Sequence, residues 1–156
     1  ERLPGHDAQA FAALKRSLAE RRVLPKKLRI HGSDSDPARV EEARANVAAA
    51  GLEQLVTLEV ADAREFAPRR GWDATVVANP PYGERLGDAE RLVPLYRAFG
   101  ERLREHGQGF ALALLTASSA HERALALGGL SRIALHNGGL ECTLLQGRIA
   151  AASRST

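Results

Sequence analysis

The sequence predicts an α/β fold: a doubly wound sheet, parallel in its main part and closed by an antiparallel hairpin at its C-terminal end. Three observations lead there. Short aliphatic runs alternate with segments whose apolar side chains recur every three or four residues, the pattern of strands joined by crossover helices. Phe110 to Leu115 is apolar throughout, as expected of a strand with both faces covered. The last third places Asn137-Gly138-Gly139 between two apolar runs, which signals a tight hairpin.

Taken in order, Asp7 caps a helix over Ala8 to Glu20 with Phe11, Leu14 and Leu18 on one face. Leu28 to His31 is a short strand ended by Gly32. Asp36-Pro37 is a cap followed by proline at the first helical position. The helix after it turns Val40, Ala43, Val47 and Ala50 inward and stops at Gly51. Val56 to Val60 is the next strand, followed by Ala61-Asp62. A connection through Phe66 and Pro68 leads to a strand over Ala74 to Ala78. Leu92, Tyr96, Phe99 and Leu103 then define a helix that Gly107 ends. After the strand from Phe110 comes a short helix, Ala120 to Leu127, and the strands Ile133 to His136 and Thr143 to Ile149.

The chain has 156 residues, 44% hydrophobic and 26% charged, with a net charge of +3. That length supports one domain, here residues 1–149, with 150–156 as a tail or the start of a linker. It contains no methionine and is read as a domain of a longer protein. No apolar run reaches membrane-spanning length, and Glu1-Arg2-Leu3-Pro4 does not resemble a signal peptide. The single cysteine, Cys142, rules out an internal disulfide and fits the reducing cytoplasm. His6, His31, His106, His121 and His136 lack ligand spacing, so no metal site is expected. The mild basic excess is compatible with a nucleic-acid partner.

In doubly wound sheets, ligands lie beyond the carboxyl ends of the strands. Three such ends carry polar groups here. Asp34 in Gly32-Ser33-Asp34-Ser35-Asp36 is placed to accept from both hydroxyls of a ribose, while Asp36 caps the next helix. Asp62 is placed to accept from the exocyclic amine of an adenine, with the neighbouring backbone amide of Ala63 facing a ring nitrogen. Taken alone, each aspartate is more commonly the cap of a turn. Asn79-Pro80-Pro81-Tyr82 is the specific feature: an amide, two rigid residues and an aromatic ring at the end of a buried strand. Together the three ends suggest a nucleoside cofactor lying across them, with a second planar group opposite.

The string Asn79-Pro80-Pro81-Tyr82-Gly83-Glu84-Arg85-Leu86 carries a family resemblance, together with Gly32 to Asp36, Ala45-Asn46 and Asn137 to Cys142. It resembles the bacterial large-subunit ribosomal RNA guanine-N2 methyltransferases, whose catalytic domain follows a THUMP RNA-binding domain. The resemblance runs from about His6 to Ile149 and implies the Rossmann-like class I fold with S-adenosylmethionine as cofactor. It implies that Ser33, Asp34, Asp62, Ala63 and Asn79 face the cofactor. Asp34 would hold its ribose and Asp62 its adenine amine. The Asn79 side chain and the Pro80 carbonyl would accept from the target amine, Pro81 would complete the rigid turn, and Tyr82 would stack on the extruded base. Arg85 would meet RNA phosphate or pair with Glu84.

One departure from the family is large. Its members carry an earlier strand followed by a glycine-rich loop around the methionine part of the cofactor. Nothing between Glu1 and Lys27 resembles that loop, so the first, central strand is expected to be missing from these 156 residues. The same tetrad also serves enzymes that methylate adenine N6 or glutamine N5. A non-catalytic RNA-binding module of the same fold is the alternative from outside enzymes.

Overall fold

The computed structural model describes residues 5–21, 23, 28–69, 73–83 and 88–150. Its elements are α1 (Ala8–Glu20), β1 (Ile30–Asp34), α2 (Pro37–Ala49), β2 (Val56–Val60), a 3-10 turn (Ala63–Glu65), β3 (Thr75–Ala78), α3 (Asp88–His106), β4 (Ala111–Thr116), α4 (Ser119–Leu125), β5 (Ser131–Asn137) and β6 (Leu140–Arg148). The caps at Asp7 and Asp36 follow the sequence signals. The Asp7 carboxylate accepts from the amides of Gln9 and Ala10, Asp36 from Ala38, and Ser118 from Ala120. Pro37 opens α2, where its missing N–H costs no intrahelical bond.

Among the described residues the strands form two sheets. In one, β1 pairs in parallel with β2; in the other, the order is β3-β4-β6-β5. There β3 and β4 are parallel, while β6 runs antiparallel to both β4 and β5. The hairpin turns at Gly138-Gly139, with Asn137 opposite Leu140 and Gly138 at a positive φ that glycine adopts without steric cost. The α/β order, the parallel pairs and the closing hairpin agree with the expected fold.

The core lies under one face of the larger sheet. Tyr96, Phe99 and Leu103 of α3 share one core cluster with Phe110, Leu112 and Leu114, Leu125 of α4, Leu145 of β6 and Ile149 just beyond it. Each such side chain contributes roughly 1.5–3 kcal/mol by leaving water. This burial holds α3 together despite Pro94 in its interior, where proline costs about 3 kcal/mol in an isolated helix. α3 and α4 approach closely at Gly100: a Cβ there would lie 2.7 Å from the carbonyl carbon and 2.8 Å from the Cα of Leu125.

Several expectations need correction. The first strand does not stop at Gly32 but runs through it to Asp34, because a glycine there makes room for Leu58 of β2, whose Cδ2 would sit 2.8 Å from any added Cβ. Asp34 is therefore the last residue of β1, opposite Val60, rather than a loop residue beyond it. The apolar run of β4 is not buried on both faces. Leu112, Leu114 and Thr116 are buried, and the alternating Ala111, Ala113 and Leu115 are only half-buried. Ala50 lies outside α2 as its exposed C-cap, so only Val40 is fully buried on that helix. The face of α1 formed by Phe11, Leu14 and Leu18 is exposed, as is Val77 of β3. Strand and helix ends elsewhere shift by one to three residues, as caps and hairpin pairing decide them.

The Gly100 contact yields a stability prediction. Gly100→Ala should destabilise the fold by about 1–3 kcal/mol, because helix backbones must separate to admit one methyl. Denaturant titration should show a lower midpoint with an unchanged slope.

Candidate active site

The carboxyl ends of β1 and β2 lie side by side, and the ladder continues past the strands through a bond from the Ala61 amide to the Asp34 carbonyl (3.0 Å). This places Asp34 and Asp62 at one edge of the sheet. The Asp34 side chain is exposed, and its Oδ1 accepts from the Asp36 amide at 2.8 Å, which fixes the carboxylate at the edge. Asp62 caps the 3-10 turn, accepting from the Arg64 amide at 2.8 Å. Its carboxylate is also gripped by the Arg64 guanidinium, with Nε 3.0 Å from both oxygens. That charge-assisted bonding holds the Asp62 carboxyl below the usual range. Asp62 is thus an ionised acceptor with part of its capacity already used. Ser33 and Ala63 are exposed beside the two acids.

The third strand end is built differently. Asn79 is exposed, and Pro80 and Tyr82 are half-buried. The Tyr82 hydroxyl donates to Asn79 Oδ1, closing the turn on itself and orienting the amide. An amide oxygen has two acceptor positions, so one remains for an incoming N–H. Glu84, Arg85 and Leu86, expected to flank the site, lie outside the described residues.

Behind this turn stands a group that sequence reasoning treated as core alone. Tyr96 is 1% exposed, and its hydroxyl donates to the Pro81 carbonyl at 3.0 Å. Its ring stacks on His121, with centroids 4.1 Å apart and planes 10° from parallel. Burial pushes the Tyr96 phenol up to about 12, against a smaller opposing effect from its hydrogen bond with Thr116. The phenol is therefore a neutral donor throughout the physiological range. A buried tyrosine on an apolar stripe is itself a signal, because its hydroxyl requires a partner.

α3 also anchors the segment beyond Asp62. Phe66 meets Phe99 edge-on at 5.9 Å and 89°, and Arg102 Nε donates to the Phe66 carbonyl at 3.2 Å. The structure therefore gathers the expected residues into two groups, Ser33–Asp34 with Asp62–Ala63, and Asn79 through Tyr82. One helix contacts the turn of the second group and the segment that follows the first. Such a site offers carboxylate acceptors for hydroxyl and amine donors, and a rigid turn with amide and carbonyl acceptors beside a ring.

Comparison with known proteins places this arrangement. Residues 1–146 match the family model described as "RMKL-like, methyltransferase domain". The ribosomal RNA large subunit methyltransferase K/L of Chromohalobacter salexigens is 37% identical over 149 residues, covering 90% of this chain and 20% of that protein. Its counterpart in Methylococcus capsulatus is 38% identical over 142 residues, covering 90% of this chain and 19% of that protein. The chain thus spans about a fifth of the length of the curated relatives it matches. Among solved structures, a possible methylase from Clostridium difficile 630 shares the fold, with a TM-score of 0.81, 24% identity, and coverage of 99% of this chain and 41% of that one. SMU.472, a candidate methyltransferase complexed with SAH, gives a TM-score of 0.78 and 27% identity, covering 98% of this chain and 39% of that one.

The Tyr96 environment predicts an alkaline transition. A phenol whose pKa is raised by folding contributes stability that is fully present below its unfolded value near 10 and is lost as pH rises through about 12. Stability measured by denaturant titration should therefore decline across that window. Tyr96→Phe should remove this part of the decline.

Proposed function

Because this chain belongs to the family of RMKL-like methyltransferase domains, we propose that it is the catalytic domain of an S-adenosylmethionine-dependent methyltransferase acting on the exocyclic N2 of a guanine in large-subunit ribosomal RNA. One observation carries the reading: Asn79 to Tyr82 form a turn held from behind at the end of β3, in a fold where the paired ends of β1 and β2 present Asp34 and Asp62. The relatives' names supply the substrate class, and SMU.472, bound to SAH, supports the cofactor.

The residues present fit the adenosine half of that cofactor. Asp34 is exposed at the sheet edge with its carboxylate fixed by one amide bond, which suits a ribose diol. Asp62 is ionised and suits the adenine amine, with Ala63 beside it and Arg64 as the group that must share its acceptor. When bound, the cofactor supplies an electrophilic methyl on sulfur. Asn79 and the Pro80 carbonyl would accept the two hydrogens of the guanine amine, localising a lone pair otherwise delocalised into the ring. Asn79 would also face the cofactor. Proline rings at 80 and 81 hold these acceptors without rearrangement, so the catalytic contribution is mainly positioning. Tyr82 would stack on the extruded base, an interaction worth about 1–3 kcal/mol.

The methionine half requires a glycine-rich loop, which these residues do not supply. In this reading residues 1–149 are the methyltransferase catalytic domain. An RNA-binding THUMP domain belongs to the same full-length protein, which works in the cytoplasm. A solved protein described as a "predicted N6-adenine-specific DNA methylase" from Listeria monocytogenes, 28% identical with a TM-score of 0.75, favours adenine N6 as the second reading.

Incubating the full-length protein with unmodified ribosomal RNA and methyl-labelled cofactor should place label on guanine N2. Label on adenine would support the second reading, and label on protein alone would exclude both. Asn79→Ala should lower kcat by roughly 100-fold or more while leaving cofactor affinity nearly unchanged. Equal losses in both would make Asn79 a structural residue.

A further inference from the structure

The turn at the end of β3 has few soft torsions. Pro80 and Pro81 have φ fixed by their rings. Asn79 and Pro80 each precede a proline, which confines them to extended backbone. The first freely rotatable torsion after the rings is ψ of Pro81, and it decides where the chain carries Tyr82. The Pro81 carbonyl turns with that torsion, and it is this carbonyl that receives the Tyr96 hydroxyl at 3.0 Å. The phenol in turn is clamped: it is 1% exposed and stacked on the fully buried His121. With the chain leaving Pro81 in this direction, the Tyr82 hydroxyl reaches Asn79.

We propose that Tyr96 is a positioning residue of the methyl-transfer site, which fixes the Pro81 carbonyl through its hydroxyl and thereby aims Tyr82 at Asn79 and at the incoming base. The inference rests on the proposed base methylation and adds a residue to it. Tyr96 touches neither base nor cofactor in this role; it acts through the peptide between Pro81 and Tyr82. The hydrogen bond spans fifteen residues, from α3 to the turn, so it ties the position of the ring to the packing of the core.

Tyr96→Phe isolates the effect, because it keeps the ring and its stacking on His121 while deleting one hydroxyl. In the full-length protein, assayed well below its melting temperature, kcat should fall about ten-fold, the size of one lost hydrogen bond. The dissociation constant for S-adenosylmethionine should stay unchanged. In a Tyr82→Ala background the same substitution should change kcat by less than about two-fold, since the residue it aims is gone. A loss of equal size in both backgrounds, or no loss with Tyr82 present, would overturn the proposal. If the unaltered protein transferred no methyl group to RNA, the proposed reaction would fail instead. The positioning role would then be decided by a crystal structure of the Tyr96→Phe protein: a rotated Pro81–Tyr82 peptide supports it, and an unmoved one refutes it.

Discussion

The burial of one face of α3 against β4 is the constraint on which the rest depends. Tyr96, Phe99 and Leu103 are held on Leu112 and Leu114, and this fixes the helix along its length. From that position Tyr96 reaches the turn after β3, while Phe99 and Arg102 reach Phe66 beyond β2. A site assembled from separate strand ends needs such a common reference. Without it, each loop would sample its own conformations, and entropy would act against the joint geometry.

The chemistry assigned to the site relies more on placement than on shifted acidity. Asp62 is kept ionised by Arg64, and Tyr96 is kept neutral by burial, so neither changes charge near neutrality. Both are therefore steady hydrogen-bonding partners. That suits a reaction in which a weak amine must be oriented and its hydrogens accepted. The same reliance explains the double proline, which removes freedom from the turn before any substrate arrives.

Much of the fold was legible in the residues because its signals are local. Asp7 and Asp36 cap helices through amides two or three residues away, and the apolar spacing of α3 reports its buried face directly. Gly32 misled for an equally physical reason: glycine ends strands in isolation, yet here it makes room for Leu58 across the pair. The run of β4 misled because sequence shows hydrophobicity but not what covers each face. The acids at 34 and 62 were legible as capping or ligand groups, but the grip of Arg64 on Asp62 was not among the expectations.

By itself, then, the sequence determined the order and type of the elements, the hairpin, and the rigid Asn79-Pro80-Pro81-Tyr82 turn with its family relation. These follow from caps, periodicity and ring constraints acting within a few residues. Only the tertiary structure decided which partner the buried Tyr96 hydroxyl would take, and that it would be the one carbonyl whose torsion the prolines leave free. A buried phenol must find an acceptor, but the acceptor it finds depends on where the core sets the helix, fifteen residues from the turn it holds.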